Sequence, residues 1–137
     1  MPKRTLTLVI AIVVLSTLLV ACGGTDTADG GSGGDAKRGE ELYKQTVIGS
    51  QAAPGCITCH SLEAGKVLIG PPHAGLATKA ETAVPGMPAE DYLRESIIEP
   101  DAHLVDGFSA GIMYQNYAKD LKESEINDLL AFLLTLK

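Results

Sequence analysis

Cys56 and Cys59 stand two residues apart and His60 follows at once, in the run Cys56-Ile57-Thr58-Cys59-His60. Two thiols at that spacing with a histidine behind them form the attachment signature of a c-type haem. The order follows from the chemistry. Each thiol adds across one vinyl group of the porphyrin to give a thioether, and the fixed separation of the two vinyls requires two intervening residues. The next residue then offers its imidazole to the iron. The expected cofactor is one covalently bound haem c held by Cys56 and Cys59, with His60 as a metal ligand. Two other uses of the motif compete. A zinc site needs about four ligands, usually as two such pairs. A redox dithiol usually sits in a βαβ context, which this chain lacks.

Export is the second signal. Lys3 and Arg4 precede an apolar run over residues 6–20 broken only by Thr7, Ser16 and Thr17, and Leu19-Val20-Ala21-Cys22 closes it with small residues. The pattern reads as a signal peptide over residues 1–21. Leu19-Val20-Ala21-Cys22 resembles the lipobox of bacterial lipoproteins, whose cysteine is acylated and begins the mature chain. That resemblance implies lipidation at Cys22 and a membrane-anchored protein facing the periplasm or the cell exterior. The apolar run falls short of the roughly 20 residues needed to span a bilayer. Of the three cysteines, lipid and haem account for all, so no disulfide is expected.

Residues 22–34 form the lipidated cysteine and a flexible linker. Residues 23–34 are half glycine with no large apolar side chain, too little to bury for folding. As a flexible coil they reach on the order of 20 Å. Residues 35–137 suffice for one domain. Aromatics are few and tryptophan is absent, so a buried, mostly apolar macrocycle would supply much of the core. The full chain carries net charge −6. Without residues 1–21, which hold Lys3 and Arg4 and no acid, it carries −8. That balance argues against nucleic acid as a partner and favours partners with a basic or apolar docking patch.

The elements that must position the motif are helices and loops. Residues 35–46 predict a first helix capped by Asp35, with Leu42 and Tyr43 on its apolar side. Gly39 sits inside it, where glycine costs roughly 1 kcal/mol against alanine; that cost points to a close helix crossing. Residues 49–88, rich in Gly, Pro, Ala and Thr, read as loops wrapped around something, with the haem motif in a short helix. Residues 89–98 predict a second helix, with Pro88 at its start and Pro100 beyond its end. Residues 101–119 read as irregular. A last helix over 123–136 places Ile126, Leu129, Leu130 and Leu133 on one buried face, with Glu123 and Glu125 leading and Lys137 closing in accord with the helix dipole.

This order is similar to that of the small monohaem class I cytochromes c: a helix carrying Gly39 and Tyr43, the Cys-Ile-Thr-Cys-His motif, Gly70-Pro71, a methionine loop, then an amphipathic terminal helix. The resemblance covers residues 35–137. It implies an all-α fold of small helices and loops around one haem, with crossing first and last helices. Gly39 and Tyr43 would pack on Leu129 and Phe132. It also implies that the Pro71 carbonyl accepts the imidazole N–H of His60, fixing the ring and making it a stronger ligand. Residues 92–97, Gly107-Phe108 and Met113-Tyr114-Gln115-Asn116-Tyr117 look like the cytochrome c domains of bacterial haem-copper oxidases. They also look like the monohaem lipoprotein cytochrome of alternative complex III. In those domains the loop methionine is the sixth iron ligand, a role that falls here to Met113. The chain departs from the pattern twice. Tyr114 stands where the family usually has proline, and His73 near where it usually buries a leucine.

Met87, His73 and His103 compete with Met113 for the sixth position. A methionine raises the reduction potential and a second histidine lowers it. With both axial positions filled, single-electron transfer rather than catalysis is the expected activity. The chain would then serve as a tethered shuttle or as a subunit of a respiratory or photosynthetic complex. Its donor would be a quinol-oxidising complex and its acceptor a terminal oxidase or photosynthetic reaction centre. The alternatives are a five-coordinate haem that binds or reduces a small ligand such as peroxide, and a haem-free thiol oxidoreductase. Arg94, Tyr92, Tyr114 and Tyr117 are further candidates, for hydrogen bonds to haem propionates. Glu90, Asp91, Glu95, Glu99, Asp101 and Asp106 form an acidic set that is either solvated or a docking face.

Overall fold

A computed structural model describes residues 33–137. The expected signal peptide, Cys22 and all but the end of the glycine-rich linker lie outside the described residues. Helix α1 covers Ala36–Tyr43. The Asp35 carboxylate accepts the backbone N–H groups of Lys37 and Arg38, which satisfies two of the free donors at a helix start. A two-residue antiparallel pair follows, β1 Val47–Ile48 with β2 Ala53–Pro54, in the register Val47 opposite Pro54 and Ile48 opposite Ala53. A single 3₁₀ turn, Cys56–Thr58, carries the haem motif. Then come α2 Leu76–Ala83, α3 Ala89–Ile98, the single turn α4 Tyr117–Asp120 and α5 Glu123–Leu133.

The core lies where α1 crosses α5. Tyr43, Leu129 and Leu130 are fully buried, and Ile126, Phe132 and Leu133 surround them. Gly39 explains how close the two helices come. A Cβ there would sit 1.9 Å from the Asp128 carbonyl oxygen and 2.9 Å from Phe132 Cβ, so no side chain fits. One turn on, the Tyr43 ring meets Phe132 edge-on at 5.3 Å between centroids, a favoured aromatic geometry. The expected contact of Gly39 and Tyr43 with Phe132 therefore forms, and the Asp128 backbone is Gly39's nearest neighbour rather than Leu129. Polar ties reinforce the crossing. The Arg38 guanidinium donates twice to the Asp128 carboxylate, at 2.9 and 3.0 Å, and the Asp35 N–H donates to it at 2.7 Å. The Arg38 guanidinium holds the Asp128 carboxyl below its ordinary pKa.

Several elements differ from the sequence reading. The stretch read as loop holds α2, whose inward face is made of alanines, Ala77 and Ala80, too small to register as a hydrophobic stripe. Its N-cap is Gly75 in a left-handed conformation with no side-chain cap. The C-terminal tail substitutes, since the Leu136 carbonyl accepts the Ala77 N–H at 2.9 Å. Helix α5 ends at Leu133 rather than 136, which leaves Lys137 outside its last turn. At its start the Glu125 carboxylate accepts the Lys122 N–H at 2.7 Å. Among the described residues no helix is long and apolar enough to cross a membrane.

Candidate functional site

The 3₁₀ turn is built by local bonds. Thr58 donates through its hydroxyl and its N–H to the Gly55 carbonyl, while the N–H groups of Cys59 and His60 both donate to Cys56. Gly55 is required because a Cβ there would meet the Gln45 carbonyl oxygen at 1.8 Å. The turn presents Cys56, Cys59 and His60 to one wall of a cavity of about 560 Å³. The base of the following loop is closed by two backbone bonds, Gly70 N–H to Cys59 O at 2.9 Å and His73 N–H to Ser61 O at 2.8 Å. That closure carries Pro71 to His60. The His60 Nδ1 lies 2.9 Å from the Pro71 carbonyl oxygen, so Nδ1 carries the proton and Nε2 is left free as a ligand. Burial lowers the His60 pKa despite that bond, and a neutral imidazole is the form a metal takes. Gly70 packs directly on the ring: a Cβ would lie 2.5 Å from His60 Cε1.

Met113 lines the same cavity, on the loop between α3 and α4, with apolar neighbours Leu104, Phe108 and Ile112. Asp101 accepts the Gly111 N–H at 2.9 Å, and the Gln115 amide donates to the Met113 carbonyl at 2.8 Å. Tyr114, which stands where the family usually has proline, is tied by its side chain. Its hydroxyl donates to the buried Asp120 carboxylate at 2.5 Å, and its ring meets Tyr117 edge-on. A side-chain tie replaces the proline's backbone restriction.

The rival sixth ligands separate by position. His73 stacks on His60, with ring centroids 4.0 Å apart and planes 21° apart. A ring lying flat on the proximal ligand cannot reach the opposite face of a haem bound to that ligand. Met87 packs against the hydrophobic core and is not among the cavity-lining residues. His103 does line the cavity, with its Nε2 2.9 Å from a Glu95 carboxylate oxygen.

The propionate candidates are mostly committed elsewhere. Arg94 bridges α3 to α5 through Glu123 and Asn127 and does not line the cavity. The Tyr117 hydroxyl donates to the Pro54 carbonyl, and Tyr114 serves Asp120; Tyr92 remains on the cavity wall beside His103. Within the acidic set, Glu95 meets His103 and Asp101 accepts from Gly111. Sequence reasoning missed the stacked His73 and the Tyr114–Asp120 tie, because each pairing depends on how separate segments meet.

The donor set fits a haem and disfavours the other uses of the motif. The cavity is walled largely by apolar side chains and has both thiols and the imidazole on one wall. Among the described residues no group of three or more His, Cys, Asp or Glu could hold a bare metal ion. Burial pushes the Cys56 thiol up to about 11, whereas a redox dithiol requires a lowered value.

Among curated proteins no relative matches the chain. The family model for cytochrome c matches residues 36–137, nearly all of the described structure. With the CXXCH turn, the His60–Pro71 bond and the apolar cavity in one place, the chain belongs to the cytochrome c family, whose members carry covalently attached haem c.

Proposed function

We propose that this protein is a membrane-tethered single-electron carrier in which Cys56 and Cys59 form the thioethers and His60 and Met113 are the axial ligands. Haem-based electron transfer follows from the family. The observation that carries it is the convergence of the CXXCH turn, His60 oriented by Pro71, and Met113 on a single cavity. When bound there, haem supplies a reversible one-electron couple. The protein's part is to fix both axial ligands and keep the site apolar. Cys56 and Cys59 hold the group covalently, so it stays with an exported protein. Lipid on Cys22 tethers the domain, and the linker lets it reorient at the membrane. Net charge −8 on the chain without residues 1–21 suits a basic or apolar docking patch on the donor, a quinol-oxidising complex, and on the acceptor, a terminal oxidase or reaction centre.

The test is the visible spectrum of the oxidised holoprotein beside Met113→Ala and His103→Ala. A weak sulfur-to-iron charge-transfer band at the red edge, lost in Met113→Ala and kept in His103→Ala, supports the ligation. Its absence from the wild type refutes it and brings His103 or an open site forward. Rapid carbon monoxide binding by the reduced wild type would then favour small-ligand chemistry. For the tether, the mature N-terminal peptide should carry a lipid mass that Cys22→Ser abolishes.

A further inference from the structure

We propose that His73 is a positioning residue for His60, setting the rotation of the iron-binding imidazole; this rests on the ligation proposed above. The Pro71 bond alone leaves His60 one freedom. A hydrogen bond at Nδ1 fixes one point of the ring but lets the plane swing about the Nδ1···O direction. Gly70 packs against the ring, and a second ring lying flat on the imidazole, at 4.0 Å and 21°, limits that swing further.

His73 is itself held at three points. Its backbone N–H donates to Ser61 O at 2.8 Å. Its ring lies 5.7 Å from the Tyr43 ring. Its Nδ1 is 3.1 Å from the Tyr43 hydroxyl oxygen, which is also 3.2 Å from the His60 carbonyl oxygen. The proton count orders that chain. Tyr43 has one hydroxyl proton, and a carbonyl can only accept, so Tyr43 donates to His60 O and accepts from His73 Nδ1–H. The result is a closed circuit from the His60 ring to His73, to Tyr43, and back to the His60 backbone. Tyr43 is fully buried against Phe132, which ties the circuit to the α1–α5 crossing. An apolar residue at position 73 would fill the space without closing the circuit. The stacked electron-rich face also favours the extra positive charge that oxidation places on the iron and its ligand.

The experiment is electron paramagnetic resonance of the ferric holoprotein, with the reduction potential measured on the same samples, for wild type, His73→Leu and Tyr43→Phe. The low-spin g-values report the orientation of the axial imidazole plane, which a purely structural role would not move. His73→Leu should shift the g-values and raise the potential, and Tyr43→Phe, which removes only the bridging oxygen, should shift the g-values by less. Unchanged g-values in His73→Leu overturn the proposal, whatever happens to its melting temperature. If that variant does not accumulate as folded holoprotein, unchanged g-values in Tyr43→Phe overturn it instead. A wild type with no low-spin signal overturns the ligation reading and this proposal together. A low-spin wild type with invariant variants overturns this one alone.

Discussion

Replacing Gly39 with alanine tests the central packing contact, because two known effects oppose each other there. Alanine in a helix interior is favoured over glycine by about 1 kcal/mol, so an open site would gain stability. At Gly39 the new methyl would lie 1.9 Å from the Asp128 carbonyl oxygen, 2.5 Å from its carbon and 2.9 Å from Phe132 Cβ. Two of the three obstacles are backbone atoms of α5 and cannot turn aside, so α1 must move outward. Overpacking costs about 1–3 kcal/mol and occasionally more; a rigid obstacle puts this site at the upper end. The net expectation is a loss of about 2 kcal/mol after the propensity gain. For a domain of this size that corresponds to a fall in melting temperature of roughly 8–15 °C.

The assay is thermal unfolding of the holoprotein followed by circular dichroism. A melting temperature equal to or above wild type would refute the crossing as described. A double mutant sharpens the test. If the obstacle is backbone, Phe132→Gly, which removes the Cβ that the new methyl would meet, should rescue little in the Gly39→Ala background, and the coupling between the two should stay below about 0.5 kcal/mol. Substantial rescue would mean that the Phe132 side chain, not the Asp128 carbonyl, sets the helix spacing.

Two further outcomes follow from the polar ties. Asp128 has a folded-state pKa lowered below 3.8 by Arg38, so its contribution is present above the ordinary carboxylate value and lost as pH falls through the lowered one. Asp128→Asn should therefore be less stable than wild type at pH 7, and denaturant midpoints should converge as pH drops below about 4; a constant gap would rule the linkage out. Tyr114→Phe leaves the buried Asp120 carboxylate without its phenol donor and should lower stability. It should also loosen the Met113 segment, seen as faster carbon monoxide uptake by the reduced protein than wild type shows; unchanged kinetics would mean that Gln115 and Asp101 hold the loop without it.

How much of this was legible in the sequence depended on whether a signal was local. The helix over 89–98 matches its structural bounds because prolines bracket it. The face of Ile126, Leu129, Leu130 and Leu133 is buried as its spacing predicted, but its helix stops early. Helix α2 was hidden because burial of Ala77 and Ala80 needs a neighbour close enough to cover a methyl group, and that closeness is a property of packing. The same holds for Arg38 with Asp128, ninety residues apart in the chain. His73 stood out as an unusual residue, yet its type alone placed it among possible sixth ligands. Only the loop closure at Ser61 and Gly70 puts it on the side of His60.

The two faces of the cavity are consequently held by different physics. On the His60 side the restraints are backbone bonds from Gly70 and His73, the Pro71 carbonyl and a stacked ring, tied through buried Tyr43 to the α1–α5 core. Opening that face requires breaking the core. On the Met113 side the restraints are side chains: Asp101 on Gly111, Gln115 on Met113, Tyr114 on Asp120. Gly111 and Gln115 are exposed, so water competes for the Asp101 and Gln115 bonds and each is worth little net. Local opening samples the least stable segments first. Under the proposed ligation, exchange of an axial ligand therefore begins at Met113, while His60 stays bound. A five-coordinate state reached by this protein would be one that keeps His60 and has lost Met113.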